Sequence, residues 1–351
     1  MNLTLLQLTQ TNVFSHSPNC LRGKNTLLTG GRFNRHFSSF FVTNSIFYKC
    51  SFSNFLSAPI KMRESGSGYK VMGKKMVFTV IEVKQCYFNR TQSALQGGAI
   101  ETTSYSNLIV EKCVFNNIFA YNQGGAIYHY GLKCSISNTC FTMCWCSSGN
   151  SKIFGGNMLN GYGDFNISFS SAYLCGPNPT TNGDSLYHLH NGTFIIKEFN
   201  STSNHSSYIG GCGGAIINSE QDSFISFMTI ALGTDHNMFE IWSSLNQNIF
   251  YSNFVRNTIN TNMFWMPDTA VTLKSCSFYG NGNLAIVGTL DFIGCFGDFS
   301  RTGITLTATT LQNVIGFHNN CNIASEDPTG FHSITNINIW YIFVSMFINC
   351  F

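Results

Sequence analysis

A 27-residue interval constrains this chain more than any other feature in it. Gly97-Gly98-Ala99-Ile100 recurs as Gly124-Gly125-Ala126-Ile127, and Cys86-Tyr87-Phe88-Asn89 recurs as Cys113-Val114-Phe115-Asn116. Two unrelated motifs therefore keep one period and one phase. Cys140-Phe141 follows Cys113-Val114 by the same interval. Looser copies are Gly213-Gly214-Ala215-Ile216, Cys50-Ser51-Phe52 and Cys276-Ser277-Phe278, and Phe347-Ile348-Asn349-Cys350-Phe351 reads as the same element cut short. Self-similarity at a fixed short period is the signature of stacked units that bury a continuous core only together.

The composition decides what kind of unit repeats. Charged residues make up only 10% of the 351, against 15% aromatic, with 33 Phe and 32 Gly. Disordered chains are charged and poor in aromatics, so disorder is excluded. Strong helix formers are scarce, and no stretch sustains a 3.6-residue apolar pattern. Short β-branched and aromatic runs at 106–110, 193–196, 224–230, 270–273 and 303–310 alternate with Asn, Gly and Ser turn chemistry. Two or three strands in about 27 residues match one coil of a parallel β-solenoid whose coils rise about 4.8 Å each. The whole chain, 1–351, reads as one all-β domain, a single-stranded parallel β-helix of about 13 coils. Loop insertions are expected near 57–76 and 147–190.

The motif residues suit that geometry. The pairs Gly97 and Gly98, Gly124 and Gly125, and Gly213 and Gly214 permit φ > 0 at a tight corner. Phe88, Phe115 and Phe278 lie two residues after Cys86, Cys113 and Cys276 and so share their face, pointing inward. Phe over Phe and thiol over thiol would then fill a narrow interior, the thiols acting as small apolar fillers. Asn just past the Phe suits a left-handed turn.

Gly-Gly-Ala-Ile, together with Phe254-Val255-Arg256-Asn257 and Phe278-Tyr279-Gly280-Asn281, resembles the GGA[ILV] and FxxN tetrapeptides of the polymorphic membrane protein family. The richness in Cys, Asn and Phe looks more like the expanded sets of trichomonad protists than like bacterial members. The resemblance covers about 45–145 and 205–285. It implies a right-handed, pectin-lyase-like β-helix and a cell-surface adhesin, and it supplies no catalytic residues. An autotransporter barrel is not recognisable.

Other readings of the residues are weaker. Residues 1–90 carry 12 Lys and Arg against 2 Glu, concentrated at 61–63 and 70–84, and read as a solvated loop, without the basic–aromatic alternation of a nucleic-acid groove. Gly68 to Lys75 mimics a phosphate loop but has Lys75 where Ser or Thr must hold magnesium. Cys134, Cys140, Cys144 and Cys146 with His129 lack zinc-knuckle spacing. Asp164, Asp184, His188 and His190 are the best candidates for an active site assembled across coils, the route by which a polysaccharide lyase or hydrolase would arise. Asn191, Asn200 and Asn204 begin closely spaced Asn-x-Ser/Thr sequons that suit a glycosylated face. The apolar run 339–348 is too short to span a bilayer, which takes about 20 residues. A cap or membrane anchor is therefore expected beyond Phe351.

The expected protein is a non-catalytic surface rod without metal or cofactor. It meets host cells or glycans and can self-associate through open coil ends, and any membrane contact runs through a segment outside the chain. A structural surface coat is a further alternative.

Overall fold

The computed structural model describes residues 4–6 and most of 21–305, leaving out 25, 35–38, 63–78, 104–105, 148–155, 177–184, 207–212, 243–244, 282–284, 298–299 and 302–303. The strands pair in parallel, coil over coil, into a right-handed β-helix with three sheets. In one coil the chain runs through 106–111 of the first sheet, 114–116 of the second and 127–130 of the third. It then re-enters the first sheet at Lys133, which pairs with Asn107.

The second sheet gives the clearest ruler. Its strands centre on Phe33, Phe52, Phe88, Phe115, Phe141, Ala172, Ser201, Ile230, Phe254, Phe278 and Gly297, each paired with the next. These are eleven coils, or a rod about 50 Å long at the usual strand spacing. The coil length is 27 residues between Phe88 and Phe115 and 26 between Phe115 and Phe141. It stretches to 36 between Phe52 and Phe88 and falls to 19 between Phe278 and Gly297. Most of the insertion expected near 57–76 falls in the long coil and lies outside the described residues. The other expected insertion, 147–190, contains regular strands among its described residues. Gly156–Tyr173 and Ser185–His190 are strands in register with their neighbours.

A left-handed corner precedes each of these second-sheet strands, and among the described residues another follows nine of them. The first column of corners is Gly30, Lys49, Gln85, Lys112, Asn138, Phe169, Glu198, Phe227, Tyr251, Ser275 and Gly294, with φ between 49° and 66°. The second is Asn54, Arg90, Asn117, Met143, Leu174, Ser203, Leu232, Arg256 and Gly280, with φ between 49° and 62°. Left-handed backbone is disfavoured for all but Gly, Asn and Asp. Here it is held because the corner N–H reaches the next coil. Lys49 N donates to Lys84 O (3.0 Å), Gln85 N to Glu111 O (2.8 Å) and Lys112 N to Ser137 O (3.0 Å). The expectation for Asn past Phe holds at Asn54 and Asn117. Asn89 and Asn116 sit one residue too early and bond each other instead, Asn116 Nδ2 donating to Asn89 Oδ1 at 3.1 Å.

Phenylalanines stack along the axis. Ring centroids are 5.0 Å apart for Phe52–Phe88 and 4.8 Å for Phe88–Phe115, Phe115–Phe141 and Phe254–Phe278. In one coil the Phe position shrinks to Ser201, and there the residue two places earlier grows to Phe199, so the interior stays filled.

The cysteines are hydrogen-bonding groups rather than apolar filler. Directly after the first corner stand Cys50, Cys86, Cys113, Thr139, Ser170, Ser252, Cys276 and Cys295. Each thiol or hydroxyl donates to the carbonyl two residues back, as Cys113 Sγ does to Glu111 O (3.3 Å) and Thr139 Oγ1 to Ser137 O (2.9 Å). Each also accepts from the coil before: Cys86 N donates to Cys113 Sγ (3.4 Å), Cys113 N to Thr139 Oγ1 (3.4 Å) and Thr139 N to Ser170 Oγ (3.1 Å). Cys140 therefore lies one residue past this column and pairs with Val114, while Thr139 holds the position of Cys113. The Asn that closes FxxN does the same work after the second corner. Asn257 Oδ1 accepts from Gly233 N (2.9 Å) and Asn281 Oδ1 from Asn257 N (3.1 Å).

Two expectations follow. Cys113→Ser preserves the corner bonds and should stay within about 1 kcal/mol of the parent in urea unfolding, whereas Cys113→Val orphans buried groups and should cost about 1–3 kcal/mol. Phe115→Ala opens a hole in the stack and should cost about 3–5 kcal/mol.

Candidate functional site

The outward face of the third sheet carries the densest collection of chemically useful side chains. Two of its strands, Ile100–Thr102 and Ile127–Ser137, begin at Gly-Gly corners. At Gly97 and Gly124, φ is 56° and 62°, and an added Cβ would lie 2.2 Å from the carbonyl oxygens of Ile100 and Ile127. The turn brings Gln96 beside Gln123 and sets Ile100 over Ile127, pointing inward. Strand alternation then sends Glu101 and Tyr128 outward. The third Gly-Gly copy is displaced. Ala215 pairs with His188, in the column of Tyr128, two residues beyond the place of Ala126. An added Cβ at Gly214 would meet the Tyr187 ring at 2.1 Å and one at Gly213 the Phe239 ring at 2.7 Å, so those glycines make room for rings.

Two outward rows run along the axis. The first is Lys61, Glu101, Tyr128, Asn160, His188, Ala215, Glu240, Trp265 and Val287. Lys61 Nζ and Glu101 Oε2 pair at 2.7 Å. From Tyr128 to Glu240 the row is buried, with Asn160, His188 and Glu240 at 0%, 1% and 2% exposure. The second row is Tyr130, Tyr162, His190, Ile217 and Trp242 in five successive coils. Tyr130 and Tyr162 meet edge to face at 4.9 Å, and Tyr162 and His190 stack at 4.6 Å. His190 stacks on His188 at 4.2 Å, tying the two rows together. Trp242 meets Trp265 edge to face at 5.2 Å, and its indole N–H donates to the Glu240 carboxylate. Tyr130 and Trp242 are the most open of these rings, at 47% and 37% exposure.

Burial keeps the imidazoles and the Tyr128 phenol of this face neutral. It lowers the His190 imidazole to about 4, and with the neighbouring His190 it holds His188 well below the ordinary value. It lifts the Tyr128 phenol to about 12. Behind the face, His129 points into the coil and shares a 2.7 Å hydrogen bond between Nδ1 and Thr102 Oγ1. Burial alone lowers it to about 3. Gly131 is required beside it, since an added Cβ would sit 2.4 Å from His129 Cε1.

The other candidates are dispersed. Cys86, Phe88, Cys113, Phe115, Cys276 and Phe278 line the interior of the second sheet. His129 lies in the third sheet, Cys134 in the first and Cys144 after a second-sheet corner, while Cys140 is disulfide-bonded. Among the described residues no three His, Cys, Asp or Glu side chains converge to hold a metal. Asp164 Oδ1 accepts from Thr193 N at 3.0 Å, away from His188, and Asp184 lies outside the described residues. Asn204 does not belong to a glycosylated face. It is buried, donating to Ala172 O (3.1 Å) and accepting from Cys175 N (2.8 Å), whereas Asn191 is exposed. Lys61 and Lys84 of the basic cluster are in ion pairs, and the phosphate-loop mimic lies outside the described residues.

Sequence reading missed the Tyr130–Trp242 row. Its members are 32, 28, 27 and 25 residues apart, so no fixed period exposes them. The available signal was local: Tyr128 with Tyr130 and His188 with His190 alternate as one outward face would. No protein-family model, curated protein or solved structure matches this chain.

The histidines give a pH expectation. The unfolded chain protonates these imidazoles near 6.5, and the folded chain resists until about 4 or below. Stability should therefore be complete above pH 6.5 and fall as pH drops from there toward 4. Urea midpoints measured at pH 7.5, 6, 5 and 4 should be flat first and then decline.

Proposed function

We propose that this protein is a non-catalytic recognition rod of the cell surface, which presents the outward face of its third sheet to host cells or their glycans. The observation that carries this reading is the second outward row, five coils of in-register Tyr, Tyr, His, Ile and Trp on a rigid and nearly uncharged face. Edge-to-face pairing at Tyr130–Tyr162 and Trp242–Trp265 leaves ring surface for apolar sugar faces, and the phenols and imidazole offer hydrogen bonds. Repetition along the axis lets several weak contacts add. The resemblance to polymorphic membrane proteins points the same way. Two carboxylates outside these rows are engaged elsewhere, Glu82 with Lys84 and Asp164 with the Thr193 N–H.

One observation favours an enzyme instead. Glu240 and His188 share the buried row with only Ala215 between them, which places an acid and a base on one face about 10 Å apart along the axis.

The test is direct. The full chain should bind host-cell monolayers or a subset of glycans on an array, and a Tyr130→Ala/Trp242→Ala double variant should bind at least about tenfold more weakly. Release of reducing ends from polysaccharides by the parent, abolished in Glu240→Gln, would replace the binding reading with the enzymatic one.

A further inference from the structure

The thiols of this protein stack between coils in several places. Cys50, Cys86 and Cys113 follow one another, and Cys144 lies against Cys175 one coil further on. All five are buried. Buried thiols beside apolar surface are inert, because the reactive thiolate cannot form there. Cys276 and Cys295 differ in one respect. They stack in the same column, since Ser277 pairs with Phe296 and Phe296 N donates to Cys276 O at 2.9 Å. Their thiols interact, and each also reaches a carbonyl of the coil before, Cys276 Sγ to Ile249 O at 3.4 Å and Cys295 Sγ to Leu273 O at 3.3 Å. Cys295, however, is only partly buried, while the other eight free thiols among the described residues are fully so. The pair thus has an accessible thiol in front and a partner behind it.

The backbone geometry permits a bond. Neighbouring strands lie about 4.8 Å apart, and paired positions at that spacing fall within the Cα separations that disulfides span. The partner thiol also lowers Cys295 to about 7, which leaves much of it as thiolate at neutral pH.

We propose that Cys276 and Cys295 form a redox pair that closes to an inter-coil disulfide by exchange with a small-molecule disulfide. The Cys295 thiolate attacks one sulfur of the external disulfide, breaks its S–S bond and releases one thiolate. A mixed disulfide on Cys295 results. Cys276 then attacks Cys295 Sγ, and the second small thiol leaves, carrying the proton that Cys276 gives up. The protein dithiol is oxidised by two electrons, and the external disulfide is reduced to two thiols. The product staples the coil of Ile286–Ile293 to the coil before it. The proposal is independent of what the third sheet binds.

The experiment uses the full chain and glutathione disulfide at neutral pH, with native alkylation followed by mass-spectrometric mapping. In the reduced chain Cys295 should alkylate first among the described free thiols. After glutathione disulfide a Cys276–Cys295 cross-linked peptide, two hydrogens lighter, should appear, and dithiothreitol should remove it. Cys276→Ser should stop at a stable Cys295–glutathione adduct. Serine already fills this column at Ser170 and Ser252, so that variant should fold, as circular dichroism would verify. Persistence of the glutathione adduct in the parent, or a Cys295 that resists both alkylation and exchange, would overturn the proposal.

Discussion

A corner N–H bonded to the carbonyl of the coil above is the contact on which this fold depends. At Lys49, Gln85, Lys112, Tyr251 and Ser275 the backbone adopts a left-handed conformation that most of these residues disfavour by about 1 kcal/mol or more. Each corner is stable only because the next coil supplies an acceptor, so an isolated coil has no reason to bend there. The bend and the stack are therefore one event. Stacking in turn fixes register, and register puts like over like: Phe52, Phe88, Phe115 and Phe141 in one column, and thiols or hydroxyls in the next.

The same register explains how a chain with few charges satisfies its buried polar groups. The thiol or hydroxyl after a corner accepts from one coil and donates within its own, whereas the amide both accepts from and donates to the coil before. Cys, Ser, Thr and Asn become interchangeable by hydrogen-bonding pattern, and no ion pair is needed. On the outside, register assembles single tyrosines, a histidine and a tryptophan into a continuous row. The rod thereby converts residues far apart in sequence into one face. Desolvation of that face keeps its imidazoles neutral, so its contacts rest on shape, ring surface and hydrogen bonds.

The fold was legible where the coils are uniform. Cys86 to Phe141 spans coils of 27 and 26 residues, and there the Phe column and the Gly-Gly corners could be read directly. Elsewhere the coils vary in length because corner side chains point to solvent and strand ends can extend without disturbing the interior. That freedom displaced the Gly213-Gly214 copy by two residues and disguised Thr139 as an interruption of the cysteine column. It also made 156–173 look like an insertion. The candidate site was the least legible part. Tyr130, Tyr162, His190 and Trp242 keep no fixed spacing, and the row exists only after five coils of unequal length have been brought into register.

By itself, then, the sequence determined a parallel stacked coil with Gly at its turns and Phe in its interior, since period, phase and uncharged composition admit little else. Tertiary structure alone decided the register between unequal coils, and with it the outward rows, the roles of the thiols and the burial of Asn204. The physical reason is the range of the information. Turn chemistry and alternation act within a few residues, whereas register is chosen by hydrogen bonds between coils 19 to 36 residues apart.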